Sequence, residues 1–96
     1  MSLTVVKVGG SFAHHPRLGD VVAALARGVG RTVVVPGGGP FADMVRREQP
    51  RIGYDDRTAH RMALLAMAQF GHALASLSPA LRPAAGLAAI KRTLES

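Results

Sequence analysis

Leu3-Thr4-Val5-Val6-Lys7-Val8-Gly9-Gly10-Ser11 is the stretch on which the reading of this chain turns. Val5, Val6 and Val8 are β-branched, and the run from Leu3 to Val8 is nearly continuous in apolar residues. That suits a parallel strand buried on both faces. Gly9-Gly10 ends it. The strand thus delivers a lysine and bare backbone N–H groups to one point, at the C-terminal end where open α/β sheets bind ligands. Such a point is suited to an oxyanion, most often phosphate. Taken alone, Lys7 also reads as a strand-end lysine reaching solvent.

A second turn of the same kind removes much of that ambiguity. Thr32-Val33-Val34-Val35 reads as a strand running into Pro36-Gly37-Gly38-Gly39-Pro40. Three consecutive glycines are poor strand or helix material, and they permit positive φ or close approach of a ligand. A tight turn is the other reading of Gly37 to Gly39. Between the strands, Ser11 to Pro16 reads as a loop. Leu18, Val21, Val22, Leu25 and Val29 recur at helical spacing, which predicts a helix from Arg17 to about Val29, with Gly28 and Gly30 as stop signals. Strand, helix and strand make a right-handed βαβ crossover with parallel strands. The P-loop ending in Gly-Lys-Ser/Thr and the Gly-x-Gly-x-x-Gly turn are both absent.

Beyond the second turn the pattern is helical. A short helix is expected over about Phe41 to Glu48, with Phe41, Met44 and Val45 as its apolar face. Gln49 to Tyr54 reads as a break. The longest element is a helix over about Asp56 to Leu77, N-capped by Asp55. Ala59, Met62, Ala63, Ala66, Phe70, Ala73, Leu74 and Leu77 form one apolar stripe, and Leu64, Leu65, Met67 and Ala68 widen it almost to the whole circumference. A helix apolar most of the way round is buried on more than one side, which in a short chain points to a partner surface. A last helix is expected over Ala84 to Leu94. A two-stranded parallel sheet is marginal alone. The expectation is therefore one partial α/β domain over residues 1–96, a partial three-layer αβα sandwich of parallel β-strands with flanking helices. Its missing strands would come from another protein chain or a homo-oligomer.

Composition narrows the classes of function. The chain has 96 residues, 48% of them hydrophobic, no cysteine and a net charge of +6. Disulfides, thiolate metal sites and cysteine nucleophiles are excluded. No signal peptide or membrane span is evident, so a cytoplasmic protein with no membrane partner is expected. Its arginines are scattered from Arg17 to Arg92, and with one Tyr, no Trp and three Phe the aromatic platform of a single-strand binder is missing. No nucleic-acid partner is expected. The charge reads as solvated helix faces or as attraction of phosphorylated ligands.

The two motifs Val6-Lys7-Val8-Gly9-Gly10-Ser11 and Val35-Pro36-Gly37-Gly38-Gly39-Pro40-Phe41-Ala42-Asp43, separated by one helix and one strand, resemble the N-terminal part of the amino acid kinase family. The stretch Asp56-Arg57-Thr58-Ala59-His60-Arg61-Met62-Ala63-Leu64-Leu65-Ala66-Met67 is similar to the branch that phosphorylates a furan-methyl alcohol during methanofuran-type cofactor synthesis. The resemblance covers nearly all of this chain and less than half of a usual family member. It implies a truncated amino acid kinase-like fold and transfer of the ATP γ-phosphoryl group to a carboxylate, phosphate or alcohol on a small-molecule substrate, with ATP and Mg2+ as cofactors. By resemblance, Lys7 stabilises the transferring phosphoryl group. Gly9, Gly10 and Ser11 contact the nucleotide phosphates, and Gly37, Gly38, Gly39 and Pro40 shape the acceptor side. The family's second lysine, organising aspartate and nucleoside pocket come from its C-terminal half and match nothing here.

The remaining polar residues are less specific. His14 and His15 are adjacent in a loop, and no acidic cluster completes a metal site with them; a substrate-side role is open to them. His60 is a candidate for the substrate side of the site, against the reading of a helix-surface histidine. Asp55 and Asp56 resemble paired carboxylates, but helix capping explains them. No metal site is expected. Two functions stand. One is the phosphate-binding half of a kinase, inactive alone. The other is a non-catalytic structural or ligand-binding subunit that oligomerises through helix 56–77.

Overall fold

A computed structural model describes residues 4–28 and 32–84, and these residues form two parallel strands and three α-helices. Strand β1 is Thr4–Val8 and β2 is Thr32–Pro36, with helix α1, Leu18–Ala26, between them. The strands pair in parallel, Thr4 opposite Thr32 through to Val8 opposite Pro36. The parallel α/β arrangement expected from the hydrophobic pattern is therefore present, as a partial form of the larger sandwich.

Alternation along β1 decides which residues meet the core. Side chains of a strand alternate between faces. Val6 and Val8 join a cluster with Val22 and Leu25 of α1 and Phe70 and Leu74 of the long helix. Burying side chains of this size contributes about 1.5–3 kcal/mol each. The odd positions take the other face. Val5 is 57% exposed there and Lys7 is exposed. Both strands are edges of this two-stranded sheet.

Three boundaries differ from the sequence expectation. The segment after β1, expected as a loop, is a 3-10 turn over Gly10–His14. The Phe12 N–H donates to Gly9 O at 3.0 Å and the His15 N–H to Phe12 O at 3.0 Å. Hydrophobic periodicity at 3.6 residues does not register so short a turn. Helix α1 stops at Ala26, earlier than Val29, and the Gly28 N–H caps it by donating to Leu25 O at 3.0 Å.

The third difference is the largest. Helix α2 runs Gly39–Ile52, not Phe41 to Glu48, and passes through Pro50. Gly39 enters it at φ +57°, a conformation open to glycine at little cost. Pro50 falls in the last turn and removes one helical donor there. The break comes at Gly53, which has φ 92° and whose N–H donates to Gln49 O at 2.8 Å. Left-handed glycine is the common helix stop. The connection to the next helix is clamped by side chains. The Tyr54 hydroxyl donates to Val45 O, and Gln49 Nε2 donates to Tyr54 O at 3.3 Å and to Asp56 Oδ1 at 2.9 Å.

Helix α3, Asp56–Ser76, is capped as expected: Asp55 Oδ1 accepts from the Thr58 N–H at 2.8 Å. It packs along α2 and against β2. Ala66, Phe70 and Leu74 are buried, while Leu64 and Leu65 are 53% and 65% exposed. Leu81, beyond its end, returns to the core. The expected helix over Ala84 to Leu94 lies outside the described residues, save for Ala84, which has no regular structure.

Candidate phosphate-binding site

The two glycine turns meet. Val8 and Pro36 end their strands in register, so the residues after them emerge side by side. The ladder continues one step further, with the Gly37 N–H donating to Val8 O at 2.9 Å. Beyond that point the backbones touch with no side chain between. A Cβ on Gly10 would lie 2.3 Å from the Gly39 nitrogen and 2.5 Å from its Cα. A Cβ on Gly37 would lie 2.9 Å from the Gly10 nitrogen. Close backbone approach, not loop flexibility, is what requires glycine at Gly10 and Gly37.

An open cleft of about 450 Å3 lies over this junction, lined by Gly10, Ser11 and His14 on one side and by Gly38, Gly39 and Pro40 on the other. The first turns of α2 extend the second wall with Ala42, Asp43 and Arg46. Helix α2 has no side-chain cap at its start. Among the described residues, the N–H groups of Ser11 and Gly39 have no acceptor. A helix start and a glycine turn that line one cleft suit an oxyanion.

The charged groups of the cleft come from α2. Arg46 Nη2 donates to Asp43 Oδ1 at 2.6 Å, and both side chains are largely exposed. Arg46 was not singled out from the sequence, and Asp43 appeared only as the end of a motif. The signal was the helical phase: Gly39, Ala42, Asp43 and Arg46 share one face once α2 is known to begin at Gly39.

The sequence candidates divide into two groups. Gly10, Ser11, Gly38, Gly39 and Pro40 line the cleft, and Gly9 and Gly37 flank it at the strand ends. Lys7 and His60 do not line it. Lys7 lies opposite Val35, one residue before the end of β1, on the sheet face away from Val6 and Val8. His60 is exposed in the first turns of α3. His15 sits beside Phe12, ring centroids 5.1 Å apart, and its Nδ1 accepts from the Arg17 N–H at 3.0 Å. Among the described residues there is no group of three or more His, Cys, Asp or Glu that could hold a metal ion, and no helix is long and apolar enough to cross a membrane.

Two parallel strands whose C-terminal ends carry touching glycine turns, with a helix starting at the second, define an α/β protein with an open cleft at the strand ends, where such sheets bind ligands. The family model of the amino acid kinase family matches residues 2–91. The chain belongs to the amino acid kinase family, whose members are ATP-using phosphotransferases. No curated protein and no solved structure matches it.

Proposed function

We propose that this chain is the phosphate- and acceptor-binding half of an ATP-dependent small-molecule kinase, completed by another polypeptide. The observation that carries the reading is the backbone contact of Gly10 with Gly39 under a cleft that both turns line. Phosphoryl transfer asks for positioning and charge stabilisation more than covalent chemistry. Glycine turns supply it by letting N–H groups close on phosphate oxygens. In this reading Gly9, Gly10 and Ser11 hold the nucleotide phosphates, and Gly37, Gly38, Gly39 and Pro40 bound the acceptor. The open cleft over the two turns, about 450 Å3, has room for a polyphosphate. ATP supplies the transferable phosphoryl group. A Mg2+ ion fits less well as a resident of the chain, since Asp43 is the one carboxylate lining the cleft; such an ion would arrive on the nucleotide, which commonly carries it.

In this reading Lys7 takes its role from the completing polypeptide. Its side of β1, with Val5 beside it, is open. A polypeptide adding strands to the sheet and covering that face would enclose Lys7 and bring the rest of the nucleotide site over the strand ends. His60 is kept as a substrate-side residue only within such an assembly. The acceptor in this reading is a small alcohol, on the likeness of Asp56 to Met67 to the furan-methyl alcohol kinase branch.

A second reading is favoured by Leu64 and Leu65, which leave an apolar strip of α3 exposed. It is a non-catalytic subunit that assembles through α3 and binds phosphate ligands without turning them over. One experiment separates the two: ATP turnover by the purified chain, alone and with a C-terminal kinase-like polypeptide. Turnover only in the mixture, lost about 100-fold or more in Lys7→Ala, is the expected result. Binding of ATP with no turnover in any pairing favours the subunit. Full activity in Lys7→Ala rejects the role assigned to that residue.

A further inference from the structure

We propose that Arg46 is the cation that grips a phosphoryl oxygen in this cleft, and that Asp43 is a counter-ion which the ligand displaces. The inference rests on the reading that the cleft takes a phosphoryl group, and it adds the side chains that would grip it.

Arg46 and Asp43 line the cleft together with both glycine turns. Helical side chains lean toward the N-terminus of their helix. Arg46, seven residues beyond Gly39, therefore leans back toward the start of α2. Arginine offers five N–H donors in a rigid fork that matches two oxygens of a phosphate. One nitrogen, Nη2, is engaged by Asp43 Oδ1. Nε and Nη1 have no partner among the described residues. Among the cleft-lining residues Arg46 is the one that is always positively charged.

The pair also shows how it would be used. Its two side chains are 71% and 61% exposed. An exposed ion pair of this kind is held weakly, because solvent screens it. Asp43 in place keeps Arg46 on the cleft wall and neutralises it while the site is open to water. A doubly or triply charged phosphate is a stronger partner for the guanidinium than one carboxylate. It also repels the Asp43 carboxylate beside it. The ligand therefore takes Arg46 over, and Asp43 turns outward. The two residues of one ion pair then have opposite effects on binding.

That opposition is the test. Tripolyphosphate is titrated calorimetrically into the purified whole chain at low salt, with amide spectra recorded in parallel. Arg46→Gln is expected to weaken binding by about tenfold or more, as for loss of a hydrogen bond to a charged group. Asp43→Asn is expected to strengthen it severalfold. Arg46→Lys, which keeps the charge and loses the fork, falls between parent and Arg46→Gln. If the pair matters only to the fold, both variants break the same bridge and shift binding in the same direction, which overturns the proposal. Thermal melts of each variant identify that case independently. If the parent binds, with shifts at the Gly10, Ser11 and Gly39 amides, and Arg46→Gln binds equally well, the cleft reading stands and this inference falls. If the parent does not bind tripolyphosphate, both fall.

Discussion

Glycine does two different jobs at the two ends of α2. At its start, Gly10 and Gly39 let two backbones touch, and a Cβ on Gly10 would lie 2.3 Å from a main-chain nitrogen. At its end, Gly53 has nothing within 4 Å of the position a Cβ would take. It is required there by its φ of 92° alone. The first end is crowded and the second is merely bent. Crowding against backbone has no soft neighbour that could give way, whereas an unfavourable dihedral is a fixed local strain. The lesson is that the glycine turns at the strand ends are built for close approach, and the hairpin turn between α2 and α3 is built for direction.

Substitutions at the two ends sharpen that contrast. Gly10→Ala is expected to have the larger effect. It forces the turns apart, destabilises the fold by about 1–3 kcal/mol as an overpacked site does, and removes polyphosphate binding. Urea unfolding and the calorimetric titration check the two parts separately. A Gly10→Ala chain that binds and melts like the parent would break the distinction. Gly53→Ala is expected to cost about 1–2 kcal/mol, the strain of a left-handed alanine, with polyphosphate affinity unchanged.

The smallest effect belongs to Asp55, two residues beyond Gly53. The Thr58 N–H, and then its side chain, hold the Asp55 carboxyl below its ordinary value of 3.8. The group's folded pKa is therefore below its unfolded one. Its contribution to stability is complete above about pH 4 and is lost as pH falls through the folded value. Asp55→Ala should accordingly melt below the parent at neutral pH, and the gap should close in acid. A gap that persists unchanged at pH 2 would show that the carboxylate charge is not what caps α3.

Much of this was legible in the residues. The valine runs gave both strands and their parallel pairing, since an intervening helix of that length leaves little choice. Asp55 and the 3.6-residue stripe of α3 gave that helix to within a residue at each end. The parity of β1 also constrains Lys7. Val6 and Val8 face inward, so Lys7 faces away from them, and the lysine and the core cannot share a side. The α2 boundaries were hidden by residue types that argue against helix, Gly39 at one end and Pro50 at the other. A left-handed entry and a proline in the final turn are permitted by tertiary packing, which local propensity does not contain. The cleft's charged pair was hidden with them, because the phase that brings Asp43 and Arg46 onto the face of Gly39 depends on where the helix starts.

The hydrogen bond from Gly37 to Val8 O ties the site to the sheet. It is the last rung of the same ladder that joins β1 to β2, and it lies at the strand ends where the cleft-lining turns begin. Parting the turns there means unzipping the strands from that end. Deuterium should therefore enter at the Gly37 amide only as fast as the two strands part, and a polyphosphate that binds only the closed site should slow that entry by a factor of 1 + [L]/Kd. Ligand affinity is then readable at a single proton, from how its exchange slows as ligand is added.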